Sequence, residues 1–326
     1  MRSRLLTRAA LLCAALALAA CQTDLPLGGL KTRYGAAPSR FLPMDGLEVH
    51  WRDEGPNPAT SPGDTEPPAI LLLHGTASSL HTWDGWARAL SPHMRVVRLD
   101  LPGFGLTGPH PSGDYSAQAT LDFLERFASA AGLKRFAIAG NSLGGQYAWR
   151  FALRHPERIN ALILVDAAGY PADSSVPGSL GLRWARTPFL SELLRWAPVD
   201  SVMESSLKSI YADRSKVTPA LSSRYADLMR RPGNRAALGD RARTQSSATG
   251  WEDVHTLRVP TLIQWGALDP WFPPVMGERF KRDIRDSQLI VYPNLGHLPM
   301  EEDPDLTARD ALEFLMKVKR SASRSH

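Results

Sequence analysis

A serine sits in the turn Gly140-Asn141-Ser142-Leu143-Gly144, directly after the apolar run Arg135-Phe136-Ala137-Ile138-Ala139 and before the helical stretch Leu143 to Leu153. Strand, sharp turn and helix in that order strain the backbone at the serine and leave its hydroxyl standing clear of the sheet. Side chains at 140 and 144 would collide with neighbouring backbone, so both positions need glycine. The chemistry such a turn serves is nucleophilic attack by Ser142. A glycine-rich turn that merely closes the chain fits the same five residues, so the case rests on partners elsewhere.

A serine hydroxyl is a weak nucleophile at neutral pH. It needs a base, a group that orients the base, and donors for the oxyanion. The base candidate is His297, in Tyr292-Pro293-Asn294-Leu295-Gly296-His297, on a loop after the apolar run Gln288 to Tyr292. The acid candidate is Asp269, in Gly266-Ala267-Leu268-Asp269-Pro270, after the predicted strand Thr261 to Trp265. Both follow the C-terminal ends of predicted strands, where open α/β sheets carry their sites, and the order Ser, Asp, His suits triads on such sheets. Asp166, ending the strand Ala161 to Val165, is a second possible acid; its other role would be to accept hydrogen bonds at a strand-loop junction. Asp100 is expected to order the loop Pro102-Gly103-Phe104-Gly105. One oxyanion donor is the N–H of Leu143, at a helix start where the macrodipole favours negative charge. The other is expected from the loop His74-Gly75-Thr76-Ala77 after the strand Ile70 to Leu73, with Thr76 preferred over Ala77 and His74 a structural loop residue.

Alternating strands and helices must position these groups. Ser116 to Ala131 has helical periodicity, with Leu121, Leu124, Phe127 and Ala128 on one face. The alternation resumes through Asp166 and pauses at Gly169-Tyr170-Pro171. From about Tyr170 to Gly250 there is no strand signal, only short helices broken at Pro177, Pro188, Pro198, Pro219 and Pro232. Apolar residues of this segment, such as Leu180, Trp184, Phe189 and Trp196, either line an acyl pocket or pack on the core. Its basic residues outnumber its acids, which reads as a solvated helical surface or as a patch for anionic lipid headgroups.

With these residues placed, the chain resembles the α/β-hydrolase superfamily, in its serine-nucleophile, lid-bearing branch. The resemblance runs from about Phe41 to Leu315. It is carried by Met44-Asp45-Gly46, His74-Gly75, Asp100-Leu101-Pro102-Gly103-Phe104-Gly105, Gly140 through Gly145, Trp265-Gly266 leading to Asp269, and Gly296-His297 leading to Glu302 and Pro304. It implies an α/β-hydrolase fold: an eight-stranded, mostly parallel sheet flanked by helices, with a helical lid inserted after strand 6. It also implies acyl-enzyme chemistry by Ser142, His297 and Asp269 with no cofactor or metal. Lipases, carboxylesterases, meta-cleavage C–C hydrolases and cofactor-free haloperoxidases share the pattern. Haloalkane dehalogenases and epoxide hydrolases use an aspartate where this chain has Ser142. The C–C hydrolases usually carry a tryptophan directly after the catalytic histidine, and here Leu298 follows His297.

Residues 1–21 read as an export signal. Arg2, Arg4 and Arg8 form a positive start, and Leu11 to Leu18 an apolar stretch too short for a stable transmembrane helix. Leu18-Ala19-Ala20-Cys21 resembles a bacterial lipobox, which implies cleavage before Cys21 and a membrane anchor through lipid on its thiol. Gln22 after the cysteine favours the outer membrane, facing the periplasm, in enteric-type bacteria. Cys13 leaves with the signal, so no disulfide is available. Loss of the three arginines lowers the formal charge from +5 to +2, and no nucleic-acid role is indicated. The expected organisation is signal peptide 1–21, flexible tether 22–39, hydrolase core 40–169 and 251–318, lid 170–250 and frayed tail 319–326. The expected function is hydrolysis of lipid or other small-molecule carboxylic esters in the cell envelope. C–C bond hydrolysis by the same residues is the alternative, followed by a non-catalytic binding protein on this fold.

Overall fold

Short apolar runs such as Ala69-Ile70-Leu71-Leu72-Leu73 offer no polar face to water, and they lie in a sheet covered on both sides. The computed structural model describes residues 24–56, 68–171, 199–244 and 250–324. Its sheet contains β1 (Ser39–Met44), β2 (Leu47–Glu54), β3 (Ala69–Leu73), β4 (Arg95–Leu99), β5 (Phe136–Asn141), β6 (Ile159–Val165), β7 (Thr261–Gly266) and β8 (Ser287–Tyr292). The eight strands run in the order β1-β2-β4-β3-β5-β6-β7-β8. β2 is antiparallel to β1 and β4, and every other pairing is parallel. The chain winds from β3 out to β4 and then crosses back to β5, so a topological switch point lies between β3 and β5. Open α/β sheets bind ligands in the crevice at that point.

The described helices are α1 (Leu27–Tyr34), α2 (Asp84–Leu90), α3 (Ala117–Ala130), α4 (Leu143–Arg154), α5 (Val199–Ile210), α6 (Pro219–Met229), α7 (Asn234–Thr244), α8 (Pro274–Asp283), α9 (Pro299–Glu302) and α10 (Pro304–Arg324). Alternate strand residues feed two cores. Leu71, Leu73, Ile138, Leu162 and Leu164 pack with Phe123, Phe127, Tyr147 and Phe151 of α3 and α4. Ile70, Leu72, Ala139 and Ile163 pack with Trp86, Leu90, Ala311 and Phe314 of α2 and α10. Full burial of each large apolar side chain contributes roughly 1.5–3 kcal/mol. No helix among the described residues is long and apolar enough to cross a membrane.

α5, α6 and α7 form the helical insertion between β6 and β7. Pro219 opens α6 behind Thr218, whose hydroxyl accepts from the Leu221 N–H (3.2 Å). The apolar residues Leu180 to Trp196 and the signal segment with Cys21 lie outside the described residues.

Three expectations need correction. The segment 22–39 is no flexible tether where it is described: α1 packs on the insertion, with Leu30 buried against Leu106 and Leu228. Tyr34 and Arg33 bond to Asp227, Asp24 pairs with Arg235 (2.7 Å), and Leu25 N–H donates to Arg230 O (2.8 Å). The sequence of this segment looked linker-like because its few apolar residues find their partners some 200 residues away. The tail does not fray at 319, since α10 continues to Arg324. Nor do all the described arginines of the insertion form a solvated surface, although Arg214 and Arg243 are exposed. Arg241 is buried, donating to Tyr147 Oη (2.7 Å) and Pro102 O (2.6 Å), and it stacks over Phe104 and Tyr115. Arg224 pairs with Glu301, and Arg231 donates to Leu106 O and Thr107 O. These guanidiniums bolt the insertion to the core.

Candidate active site

β5 ends at Asn141, and the next residue, Ser142, already begins α4 as its N-cap. To turn that sharply, Ser142 adopts φ 52° and ψ −116°, a strained conformation costing about 1–3 kcal/mol. Bonds on both sides hold it there. Its N–H donates to Val165 O (3.1 Å), and its carbonyl accepts from the Gln146 and Ala168 N–H groups (3.1 and 3.0 Å). A Cβ on Gly140 would overlap the Gly144 carbonyl, and one on Gly144 the Leu73 carbonyl oxygen, as the sequence predicts. Serine is a favoured N-cap because its hydroxyl satisfies a free backbone N–H. Here it caps nothing. Its hydroxyl is therefore not used to hold the helix.

His297 Nδ1 lies 2.6 Å from Asp269 Oδ2. Asp269 is itself oriented, because its Oδ1 accepts from the Trp271 and Phe272 N–H groups (2.7 and 2.9 Å). A carboxylate only accepts, so Nδ1 carries the proton and Nε2 presents its lone pair. That Nε2 is enclosed and has no hydrogen-bond partner. The rings of Trp271 and Phe272 flank the imidazole, with centroids 5.0 and 5.3 Å away. Backbone bonds fix the loop: His297 N–H donates to Ile210 O (2.8 Å) and its carbonyl accepts from Asn141 Nδ2 (3.0 Å). Asn141, the residue before Ser142, thereby joins the elbow to the candidate base. No hydrogen bond joins Ser142 to His297 in this structure, a looseness common in unliganded catalytic sites.

The loop after β3 passes the serine, since a Cβ on Gly75 would stand 3.2 Å from Ser142 Cβ. Thr76 is exposed, and Ala77 takes a positive φ of 59°. Among the described residues no acceptor takes the N–H of Thr76 or of Leu143. His74 is structural, as expected: Nε2 accepts the Leu101 N–H (3.0 Å), and burial lowers its pKa to about 4. Asp100 also orders its loop, taking the Leu106 N–H on Oδ2 and the Leu80 N–H on Oδ1 (both 2.7 Å). Asp166 accepts the Gly266 N–H (2.9 Å) at the strand-loop junction, while Asp269 occupies His297 Nδ1. Burial, and then the charge of Asp269, push the Asp166 carboxyl well above the usual carboxylate range.

Asn141, Glu301 and Glu302 contribute to the site without having been singled out by their chemistry. Glu302 is buried and accepts the N–H groups of Gly296 (2.7 Å), Ala212 (2.9 Å) and Asp213 (3.3 Å), tying the His297 loop to the insertion. Glu301 takes the hydroxyls of Tyr211 (2.7 Å) and Tyr225 (2.9 Å). A pair of acids at the start of a short helix was the available signal.

This fold and this elbow define a class. The chain belongs to the alpha/beta hydrolase fold family, whose model matches residues 68–304. Among its relatives is the 2-hydroxy-6-oxo-2,4-heptadienoate hydrolase of Pseudomonas putida, 27% identical over 275 residues, 82% of this chain and 92% of that protein. A solved structure of a bacterial membrane phospholipase A is similar over 98% of this chain and 99% of its own, with TM-score 0.70 and 27% identity. The meta-cleavage product hydrolase of Pseudomonas fluorescens IP01 is similar over 86% of this chain and 98% of its own, with TM-score 0.71 and 28% identity.

Proposed function

We propose that this hydrolase cleaves carboxylic esters of lipids through an acyl-enzyme on Ser142. One observation carries the chemistry: a strained serine with an uncommitted hydroxyl follows Asn141, whose amide holds the carbonyl of a histidine whose Nδ1 is held by Asp269 and whose Nε2 is free. Ser142 Oγ attacks the carbonyl carbon while His297 Nε2 takes its proton. The tetrahedral oxyanion receives the N–H groups of Leu143 and Thr76. Collapse expels the alcohol, which His297 protonates, and water then releases the acid by the same steps reversed.

The membrane phospholipase A supports the ester reading, because the likeness extends over nearly the whole of both chains. Leu298 after His297 also departs from the tryptophan usual in C–C hydrolases. C–C bond cleavage of a ring-fission product is the second reading. It is favoured by the names of the Pseudomonas putida and Pseudomonas fluorescens relatives, which outnumber the phospholipase. The lipid anchor on Cys21 belongs to the proposal. Two residues, Gln22 and Thr23, separate Cys21 from Asp24, a reach of at most roughly 11 Å. Asp24 and Leu25 are bonded to the insertion, so an anchored chain would hold this side of the molecule at the bilayer.

The test is hydrolysis of p-nitrophenyl esters of graded acyl length and of phosphatidylcholine vesicles by the form lacking residues 1–21. Ser142→Ala serves as control, and 2-hydroxy-6-oxo-2,4-heptadienoate is assayed by loss of its absorbance. Ester turnover abolished by Ser142→Ala is expected. Turnover of the dienoate alone would replace the ester reading with the second. For the anchor, Cys21→Ala in the full chain should move the protein from the membrane fraction to the soluble periplasm.

A further inference from the structure

The chemistry above leaves Asp166 unused. The residue is wholly buried, and its backbone takes φ 42°, a conformation kept only where surrounding structure enforces it. One oxygen accepts the Gly266 N–H (2.9 Å), and the other is enclosed with no donor to serve it. One oxygen of Asp166, one of Asp269 and a ring nitrogen of His297 all lie within 4.8 Å of one another. The other titratable neighbours are Glu302 on the His297 loop and Tyr292 on β8, neither a cation. Two ionised carboxylates only accept hydrogen bonds, so side by side they repel. A proton on one of them converts the contact into an O–H···O bond.

We propose that Asp166 and Asp269 share one proton, with Asp166 the neutral donor, so that the acid of the triad is a two-carboxyl unit bearing a single negative charge. This rests on the reading of Ser142, His297 and Asp269 as a triad. Asp166 is a positioning residue: its O–H donates to Asp269, which in turn holds His297 Nδ1–H. The pair also has a reserve. In Asp269→Asn the one amide oxygen can serve either Nδ1–H or the Trp271 and Phe272 N–H groups, and Asp166 is left as the carboxyl beside His297. Asp166 then releases its proton to solvent and carries the charge.

The experiment is a double-mutant cycle with Asp166→Asn, Asp269→Asn and the pair, measured as kcat/KM on one ester across pH. Asp166→Asn keeps a donor toward Asp269 but loses the titrating proton, so its loss should be smaller than that of Asp269→Asn. It should also remove an alkaline limb that reports ionisation of Asp166. Asp269→Asn should lose about 10²-fold, less than the roughly 10⁴-fold seen when a lone triad aspartate is replaced. The double variant should fall at least about tenfold further. A double variant equal to Asp269→Asn would overturn the proposal, as would an Asp166→Asn as damaged as Asp269→Asn. A second readout does not depend on activity. The infrared difference spectrum of wild type minus Asp166→Asn at neutral pH should show the carbonyl stretch of a neutral carboxylic acid. Its absence refutes the shared proton even in an active enzyme. Failure of the triad itself would show instead as Ser142→Ala retaining wild-type turnover.

Discussion

Asn141 offers the sharpest test of how the elbow and the base are coupled. Its side chain is wholly buried, and Nδ2 donates to both Val165 O (3.1 Å) and His297 O (3.0 Å). Both partners are carbonyls, so only the amide nitrogen can face them, and the orientation of the amide is fixed. Asn141→Ala removes both bonds at once. The Val165 carbonyl keeps the Ser142 N–H, so that loss costs about 0.5–1.5 kcal/mol. The buried His297 carbonyl loses its link to the elbow, at about 1–3 kcal/mol. Together these give roughly 2–4 kcal/mol, or about 4–10 °C in Tm for a chain of this size. Activity should suffer beyond stability, because a displacement near 1 Å of a catalytic group costs about 10²-fold. Differential scanning calorimetry and ester kinetics well below the lowered Tm separate the two effects. The expected pattern is a fall in kcat with KM little changed. A Tm within about 1 °C of wild type together with an unaltered kcat would refute the coupling.

Gly144→Ala forces a methyl into the Leu73 carbonyl and should cost about 3 kcal/mol or more, read as loss of soluble, cooperatively melting protein. Asp166 has its folded pKa raised above the ordinary 3.8, so the folded state holds the extra proton. Stability should therefore decline as pH rises from about that value through the folded pKa, and Asp166→Asn should flatten this slope in denaturant titrations. His74 has the opposite sign. Its pKa falls from 6.5 to about 4, so stability present above 6.5 is lost on acidification to 4, by roughly 3 kcal/mol, and His74→Asn should remove that dependence. Glu302→Gln leaves one oxygen to serve three N–H donors; it should lower kcat through the His297 loop while leaving the far-ultraviolet circular dichroism unchanged.

The sequence carried the strands and the elbow because both are local. A run such as Ala69 to Leu73 is apolar at every position, and the Gly140 to Gly144 turn is bracketed by the residues that need it. The candidates Ser142, Asp269 and His297 could be nominated for the same reason, each lying just past a strand whose end could be read. What escaped was non-local. Leu30 and Tyr34 look like residues of a linker until Leu228 and Asp227 are placed beside them. Arg241 looks like surface charge until Pro102, Tyr147 and the two rings enclose it. The nearness of Asp166 to Asp269 depends on β6 and β7 being neighbours, a pairing that no spacing along the chain encodes.

The same non-local contacts limit how the insertion could move. Its α5 end is bound to the base: Ile210 O takes the His297 N–H, and Glu302 bridges Gly296 to Ala212 and Asp213. Swinging this end away would break those bonds and carry His297 away from Asn141. Its α6 and α7 end is bound to α1 through Arg230, Asp227 and Arg235, and to the core through buried Arg241. An opening hinged at Ile210 to Asp213 would therefore misplace the base just as substrate arrived. Any opening compatible with the proposed chemistry must leave α5's C-terminus and Arg241 in place. If the chain is anchored through Cys21 as proposed, the contacts of α1 would act as a strut between that anchor and the insertion. Breaking the strut with Asp227→Ala should weaken turnover of vesicle-borne lipid more than turnover of a soluble short-chain ester, because the orientation at the bilayer is lost while the triad is untouched. Equal losses on both substrates would mean that α1 stabilises the fold and nothing more.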